Sequence, residues 1–142
     1  MTTDKFVFHS IHLAHQAAKE AFDCDLSPTQ FVILRAIADL GDGVNQTALV
    51  QHTGIDRSTM ADVLRRLAKT GLVKRRRSQK DNRSVGTSLT DEGRDAVLRS
   101  SAAAERANYL LMGVIPEGQR RAFLANLERV GRGPVQVVRE AA

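Results

Sequence analysis

The feature that most constrains the fold is a pair of short helical patterns followed by two strand patterns, spread over residues 46–89. A short helical pattern over 46–53 ends at Gly54, and an amphipathic one over 56–69 ends at Gly71. Glycine ends helices because it adopts the left-handed backbone conformation without a Cβ clash. Two short helices joined by a tight, glycine-containing turn are typical of a helix-turn-helix.

The pattern over 56–69 has two faces of opposite character. Its apolar residues recur at helical spacing and predict a buried stripe: Met60, Val63, Leu64 and Leu67. The opposite face collects polar residues: Ser58, Thr59, Asp62, Arg65, Arg66 and Lys69. Strands are predicted at 72–77 and 85–89, with a polar hairpin at 78–84 between them. A hairpin directly after a helix-turn-helix predicts a wing.

The charge of the chain is concentrated in this region. Residues 57–83 contain ten basic and two acidic residues, a net +8, whereas the whole chain carries +5 and the remainder therefore −3. A basic segment on an otherwise slightly acidic chain predicts a polyanionic partner, here double-stranded DNA. The alternative interpretation of the charges alone is a solvated surface that maintains solubility.

The order of the elements assigns each polar group a role on DNA. The major groove admits one α-helix, and the first residues of a recognition helix reach the base edges. Asp62 is predicted to accept a hydrogen bond from a cytosine amino group, and Arg83 to enter a narrow minor groove. The predicted DNA-contacting residues are Asn45, Gln46, Thr47, Arg57, Ser58, Thr59, Asp62, Arg65, Arg66, Arg76, Lys80, Asp81 and Arg83.

The rest of the chain is predicted to be helical. The segment 4–22 is amphipathic, and Ser27 and Gln30 predict a capping box for a helix that stops at Gly41. Thr90 is predicted to cap a long helix over 91–112. A last helix is predicted to start at Pro116, and the tail after the Gly131-Arg132-Gly133-Pro134 segment is expected to be a short turn or frayed.

These elements predict a mainly α fold with a small β-wing. We expect one domain over 1–142, with the winged helix-turn-helix at about 28–90 and dimerisation helices at about 4–24 and 91–132. The lone cysteine, Cys24, fits a reducing compartment, and neither a membrane span nor a signal peptide is evident, so we expect a cytoplasmic protein. Catalytic and cofactor motifs are not evident either, so neither an enzyme nor a cofactor is predicted.

Several phrases of the sequence resemble the MarR family of winged-helix regulators. The segments 26–34, 53–60 and 67–73 look like its second helix and the start and exit of its recognition helix. Asp81-Asn82-Arg83-Ser84, followed by 88–93, resembles its wing and the start of its fifth helix. Two departures stand out. The family often has a basic residue where Asp62 stands and an acidic one where Arg65 stands. Thr87 takes the place of a commonly larger apolar residue.

The resemblance implies a homodimer built by the first, fifth and sixth helices, which binds a pseudo-palindromic operator. It implies a repressor that leaves DNA when a small molecule, often aromatic or phenolic, enters a pocket between the dimer helices and the winged domain. His12 and His15 are candidates for that pocket.

The sequence leaves two other interpretations open. In a metal- or redox-responsive regulator of the same fold, His9, His12, His15 or Cys24 would act as the sensor. The histidine spacing gives no metal-binding motif, however, and Asp23 and Asp25 oppose a Cys24 thiolate. In a protein-interaction module the winged fold would not bind DNA, although such a module has no need of the basic segment.

Overall fold

The computed structural model describes residues 6–77 and 84–141, including the side chains of 6–77 and 84–133. Its helices are α1 (Val7–Ala21), α2 (Pro28–Leu40), α3 (Gln46–Thr53), α4 (Arg57–Lys69), α5 (Asp91–Met112) and α6 (Arg120–Ala141). Its strands are β1 (Val44–Asn45), β2 (Val73–Arg77) and β3 (Val85–Leu89). The prediction of a mainly α fold with a small β-wing is confirmed.

The helix boundaries follow from local signals in the sequence. Ser27 and Gln30 form the capping box at the start of α2, with Ser27 Oγ accepting from the Gln30 amide at 3.1 Å. Gly41, which follows α2, and Gly54, which follows α3, both have positive φ. At Thr90 the hydroxyl accepts from the Gly93 amide at 3.0 Å and so caps α5.

The three strands form an antiparallel sheet in the order β1-β3-β2. β1 was not predicted, since two residues carry no periodic pattern. It pairs Val44 with Thr87 and Asn45 with Gly86. A Cβ on Gly86 would stand 2.8 Å from the carbonyl oxygen of Gly43, so glycine is required there for the two backbones to approach.

The chain forms two compact units, with the boundary between Ala107 and Asn108. The first unit contains the helix-turn-helix and the sheet around one hydrophobic core. The predicted α4 stripe lies in that core, with Met60, Leu64 and Leu67 fully buried and Val63 half-buried. Because the core anchors one face of α4, the opposite face is held towards solvent. The single domain over 1–142 stays a prediction.

The second unit corrects the predicted end of the chain. Pro116 precedes a short 3₁₀ turn, Glu117–Gln119, and α6 begins only at Arg120. The helix then continues through 131–134 to Ala141, where a turn or frayed tail was expected. Glycine lowers helix stability by about 1 kcal/mol without excluding the conformation, which makes it a weak stop signal. Among the described helices, none is both long and apolar enough to cross a membrane.

Candidate DNA-binding surface

The first turn of α4 is fixed by its N-cap residue, Asp56. Its carboxylate accepts from the Thr59 amide at 2.8 Å and from the Thr59 hydroxyl at 2.7 Å. The hydrogen bond from the Thr59 amide, and after it the one from the Thr59 hydroxyl, lower the pKa of Asp56 because both stabilise the carboxylate. The Thr59 hydroxyl was predicted to face DNA. Because it already donates its proton to Asp56, it retains only its acceptor capacity for a DNA group.

The starts of α3 and α4 lie side by side. Gln46 Nε2 donates to the Arg57 carbonyl at 3.3 Å, and Arg57 Nη1 lies 3.4 Å from Thr47 Oγ1. Asn45 caps α3, with Oδ1 accepting from the Ala48 amide at 2.8 Å. The structure therefore brings the predicted DNA-contacting residues at 45–47 next to Arg57 at the start of α4. It also gives Asn45 a structural role as a helix cap.

The outward face of α4 is polar and accessible. Ser58, Asp62, Arg65 and Arg66 are all exposed. At 100° per residue, Ser58, Asp62 and Arg65 fall within about 60° of one another, directly opposite the buried stripe. Asp62 Oδ1 forms an ion pair with Arg65 Nη2 at 2.5 Å. This face therefore presents a hydroxyl group, guanidinium donors and one carboxylate to solvent.

The wing contributes a second basic surface. After the buried Val73, the residues Lys74–Arg77 of β2 are all exposed. Lys74 lies opposite Ser88, and Arg76 lies opposite Gly86, so both basic residues are on the same face of the sheet. Three predicted wing residues, Lys80, Asp81 and Arg83, lie outside the described residues, and their contacts with DNA stay predictions.

A cavity of about 510 Å³ lies beneath the exit of α4. It is lined by the α1–α2 connection with Cys24, by Gln30, by Thr70 at the end of α4, and by Arg99 and Ser100 of α5. The Cys24 thiol donates to Ser100 Oγ at 3.0 Å, and Ser100 is 3% exposed. The walls therefore combine the carboxylates of Asp23 and Asp25, a guanidinium, an amide and hydroxyl groups with apolar residues.

The histidine candidates lie elsewhere. His12 and His15 are exposed on α1, and neither lines this cavity. In the described part of the chain, no cluster of three or more His, Cys, Asp or Glu residues is arranged to hold a metal ion.

Sequence reasoning missed three polar residues. Lys74 was counted in the basic segment but was not predicted to contact DNA. Its place beside the run of arginines at 75–77 was the available signal. Arg99 and Ser100 reach the cavity only because α5 packs beside the α1–α2 connection, and the sequence carries no signal for that contact.

The comparisons with known proteins agree with this geometry. The model of the MarR family matches residues 26–85. An HTH-type transcriptional repressor of Mycobacterium tuberculosis is 30% identical over 106 residues, which cover 75% of this chain and 76% of the relative. The repressor NicR of Pseudomonas putida is 30% identical over 79% of this chain and 70% of its own length.

Solved structures share the fold as well as sequence. The transcriptional repressor CouR, bound to a 23-mer DNA duplex, is 30% identical with a TM-score of 0.75, covering 91% of this chain and 94% of its own. Bordetella bronchiseptica BpsR, whose DNA binding is regulated by 6-hydroxynicotinic acid, is 27% identical with a TM-score of 0.83, covering 94% and 99%. The chain belongs to the MarR family of winged-helix transcriptional regulators.

Proposed function

We propose that the protein is a homodimeric repressor that binds a pseudo-palindromic operator and is released by a small aromatic ligand. The DNA-binding function is proposed from the exposed polar face of α4. The core holds the opposite, apolar face of this helix, and Asp56 caps its first turn. The α4 side chains would enter the major groove and the wing would lie along the adjacent backbone. The residues proposed to contact DNA are those predicted from the sequence, with Lys74 added.

Dimerisation is proposed from uncovered apolar side chains. On α1, Phe8 is 72% exposed and Leu13 51%, and α1 has no buried residue. On α6, Phe123, Leu124, Leu127 and Val130 are all 40% exposed or more. Stripes of this kind are usually covered by another protein surface. A second copy of the chain would cover them and place two recognition helices about 10 bp apart on DNA.

The cavity beneath α4 is the site proposed for the effector. Arg99 would bind a carboxylate, and Asp23 and Asp25, which also line the cavity, would accept from a hydroxyl group. A hydroxylated aromatic acid offers both groups on an apolar ring. BpsR, which is similar to this chain, supports this class of ligand, since its DNA binding is regulated by 6-hydroxynicotinic acid. His12 and His15 do not line this cavity, and their role in effector binding stays a prediction from the sequence.

Release from DNA would follow from the place of the cavity in the fold. Thr70 forms the C-terminal cap of α4 and also lines the cavity. A ligand that fills the space against Thr70 and α5 favours one position of the recognition helix. If that position differs from the DNA-bound one, ligand and operator binding oppose each other through their shared coupling free energy.

The first experiment measures fluorescence anisotropy of the protein on its own upstream intergenic DNA and on scrambled DNA, at two salt concentrations. We expect tight, salt-sensitive binding that prefers the upstream DNA, because phosphate contacts release counterions. Arg57→Ala and Ser58→Ala are expected to weaken operator binding more than random binding, whereas Arg83→Ala weakens both. Arg35→Ala on α2 is the matched control. Equal, weak binding to both DNAs would contradict the proposal.

A second experiment tests the effector. We expect 6-hydroxynicotinic acid, or a related hydroxylated aromatic acid, to release the operator, and Arg99→Gln to raise the required concentration by about tenfold or more. Arg106→Gln, on the same helix but outside the cavity lining, is the matched control. Equal sensitivity of the two variants would place the effector elsewhere.

A further inference from the structure

Asp62 is an acidic residue on the side of α4 that is proposed to face DNA. Asp62 is exposed among hydroxyls and arginines and would repel a phosphate. Its ion pair with Arg65 does not explain it as a stabilising feature, because the two side chains are 58% and 70% exposed and such pairs contribute little to folding. We therefore look for the effect of this carboxylate in DNA binding rather than in folding stability.

The geometry points to Asp62 as a positioning residue that orients Arg65 for a base and withholds it from phosphates. This inference rests on the proposed DNA-binding function. Asp62 Oδ1 engages a single terminal nitrogen of Arg65, Nη2, at 2.5 Å. The remaining N–H groups of the guanidinium stay available, and a fixed guanidinium fork matches the O6 and N7 acceptors of guanine.

The pair also discriminates against random DNA. A free arginine at this position would turn to any nearby phosphate, which carries no sequence information. Asp62 opposes this in two ways, because it holds the guanidinium and because it places a negative charge beside the DNA backbone. Asp62 therefore weakens binding to random DNA while it favours the operator, so operator preference is its main effect.

The Asp62→Asn variant tests the inference by anisotropy on operator and random DNA. We expect operator affinity to fall about fivefold, which is the lower end of the effect of a bidentate base contact. Random DNA is expected to bind more tightly, with one added phosphate contact. That contact would enlarge the drop in random-DNA affinity between 50 and 200 mM salt by about 3.5-fold.

A double-mutant cycle separates positioning from direct base contact. In an Arg65→Ala background, Asp62→Asn is expected to leave the ratio of operator to random affinity unchanged within about twofold. Arg65→Lys, which keeps the charge but loses the fork, is expected to lose operator preference while retaining random affinity. Asp39→Asn is the matched control, since Asp39 forms a similar exposed pair with Arg35 on α2 at 3.1 Å.

The outcomes that overturn the inference are distinct. If Asp62→Asn lowers operator preference equally with Arg65 absent, Asp62 contacts a base itself. If it leaves the preference unchanged, or if Asp39→Asn changes it as much, the pair has no positioning role. If the unaltered protein shows no operator preference, the proposed function fails, and the inference fails with it.

Discussion

Thr87 in the centre of β3 offers a prediction about stability. Its side chain is 1% exposed, and its hydroxyl oxygen is buried without a hydrogen-bond partner among the described residues. The backbone of Thr87 is already satisfied by the sheet, since its carbonyl accepts from the Gly43 amide at 3.1 Å. The side-chain hydroxyl therefore loses its hydration on folding and gains nothing in return.

Thr87→Val replaces that hydroxyl by a methyl group of the same shape and keeps the β-branched side chain that strands favour. An unsatisfied buried polar group destabilises a protein by roughly 1–3 kcal/mol, so we expect a gain of about 1–2 kcal/mol in the free energy of unfolding. For a chain of this length the gain corresponds to an increase in Tm of roughly 3–8 °C. The assay is thermal and urea unfolding followed by circular dichroism, at equal protein concentration.

Thr87→Ser provides the matched control. It keeps the hydroxyl and removes the methyl group, so it is expected to lower the free energy of unfolding by about 1 kcal/mol. Operator affinity of the Thr87→Val protein should equal that of the unaltered protein, because the side chain faces the core. A Thr87→Val protein that is no more stable than the unaltered one would refute the reasoning and show that the hydroxyl is satisfied in solution.

Three further predictions concern local geometry. Gly93→Ala is expected to destabilise the fold by about 2–3 kcal/mol in urea unfolding, because an added Cβ would overlap the Leu72 carbonyl oxygen; unchanged stability would contradict this close approach. Ser27→Ala is expected to lower the free energy of unfolding by about 1 kcal/mol through loss of the capping box, and an unchanged urea midpoint would argue against it. The pKa of Asp56 is lowered in the folded state, so its stabilising effect is present above the usual pKa of 3.8 and is lost as the pH falls through the lowered value. The Tm advantage over Asp56→Asn should therefore shrink on acidification from about pH 7 to about pH 3, and a constant difference would contradict it.

The helix boundaries could be predicted because their signals are local. The capping box of Ser27 and Gln30 spans four residues, and Gly54 has the positive φ that its place after α3 predicts. The apolar stripe of α4 is likewise a property of spacing alone. The tail shows where local signals are weak. Glycines at 131 and 133 suggested an end to the helix, yet α6 continues to Ala141.

The exposed polar face of α4, which is proposed to contact DNA, could be predicted from residue spacing, but the contacts of its individual side chains could not. The spacing of Asp62 and Arg65 is visible in the sequence, yet it suggested two separate contacts rather than one ion pair. The Thr59 hydroxyl was predicted to reach DNA, and the structure shows it donating to Asp56. Side chains choose between neighbouring partners and solvent, and that choice depends on rotamers that spacing does not specify.

The sequence by itself determined the order of the helices and of the two wing strands, the boundaries that carry a local capping or glycine signal, and the sign of the charge on the helix-turn-helix and wing, because these depend on neighbouring residues and on composition. The tertiary structure alone decided the pairing of β1 with β3 and the contact between Cys24 and Ser100, 76 residues apart. It also decided which residues line the cavity beneath α4. Such contacts form when the core brings distant segments together, and their energy depends on the packing of the whole unit rather than on any local pattern.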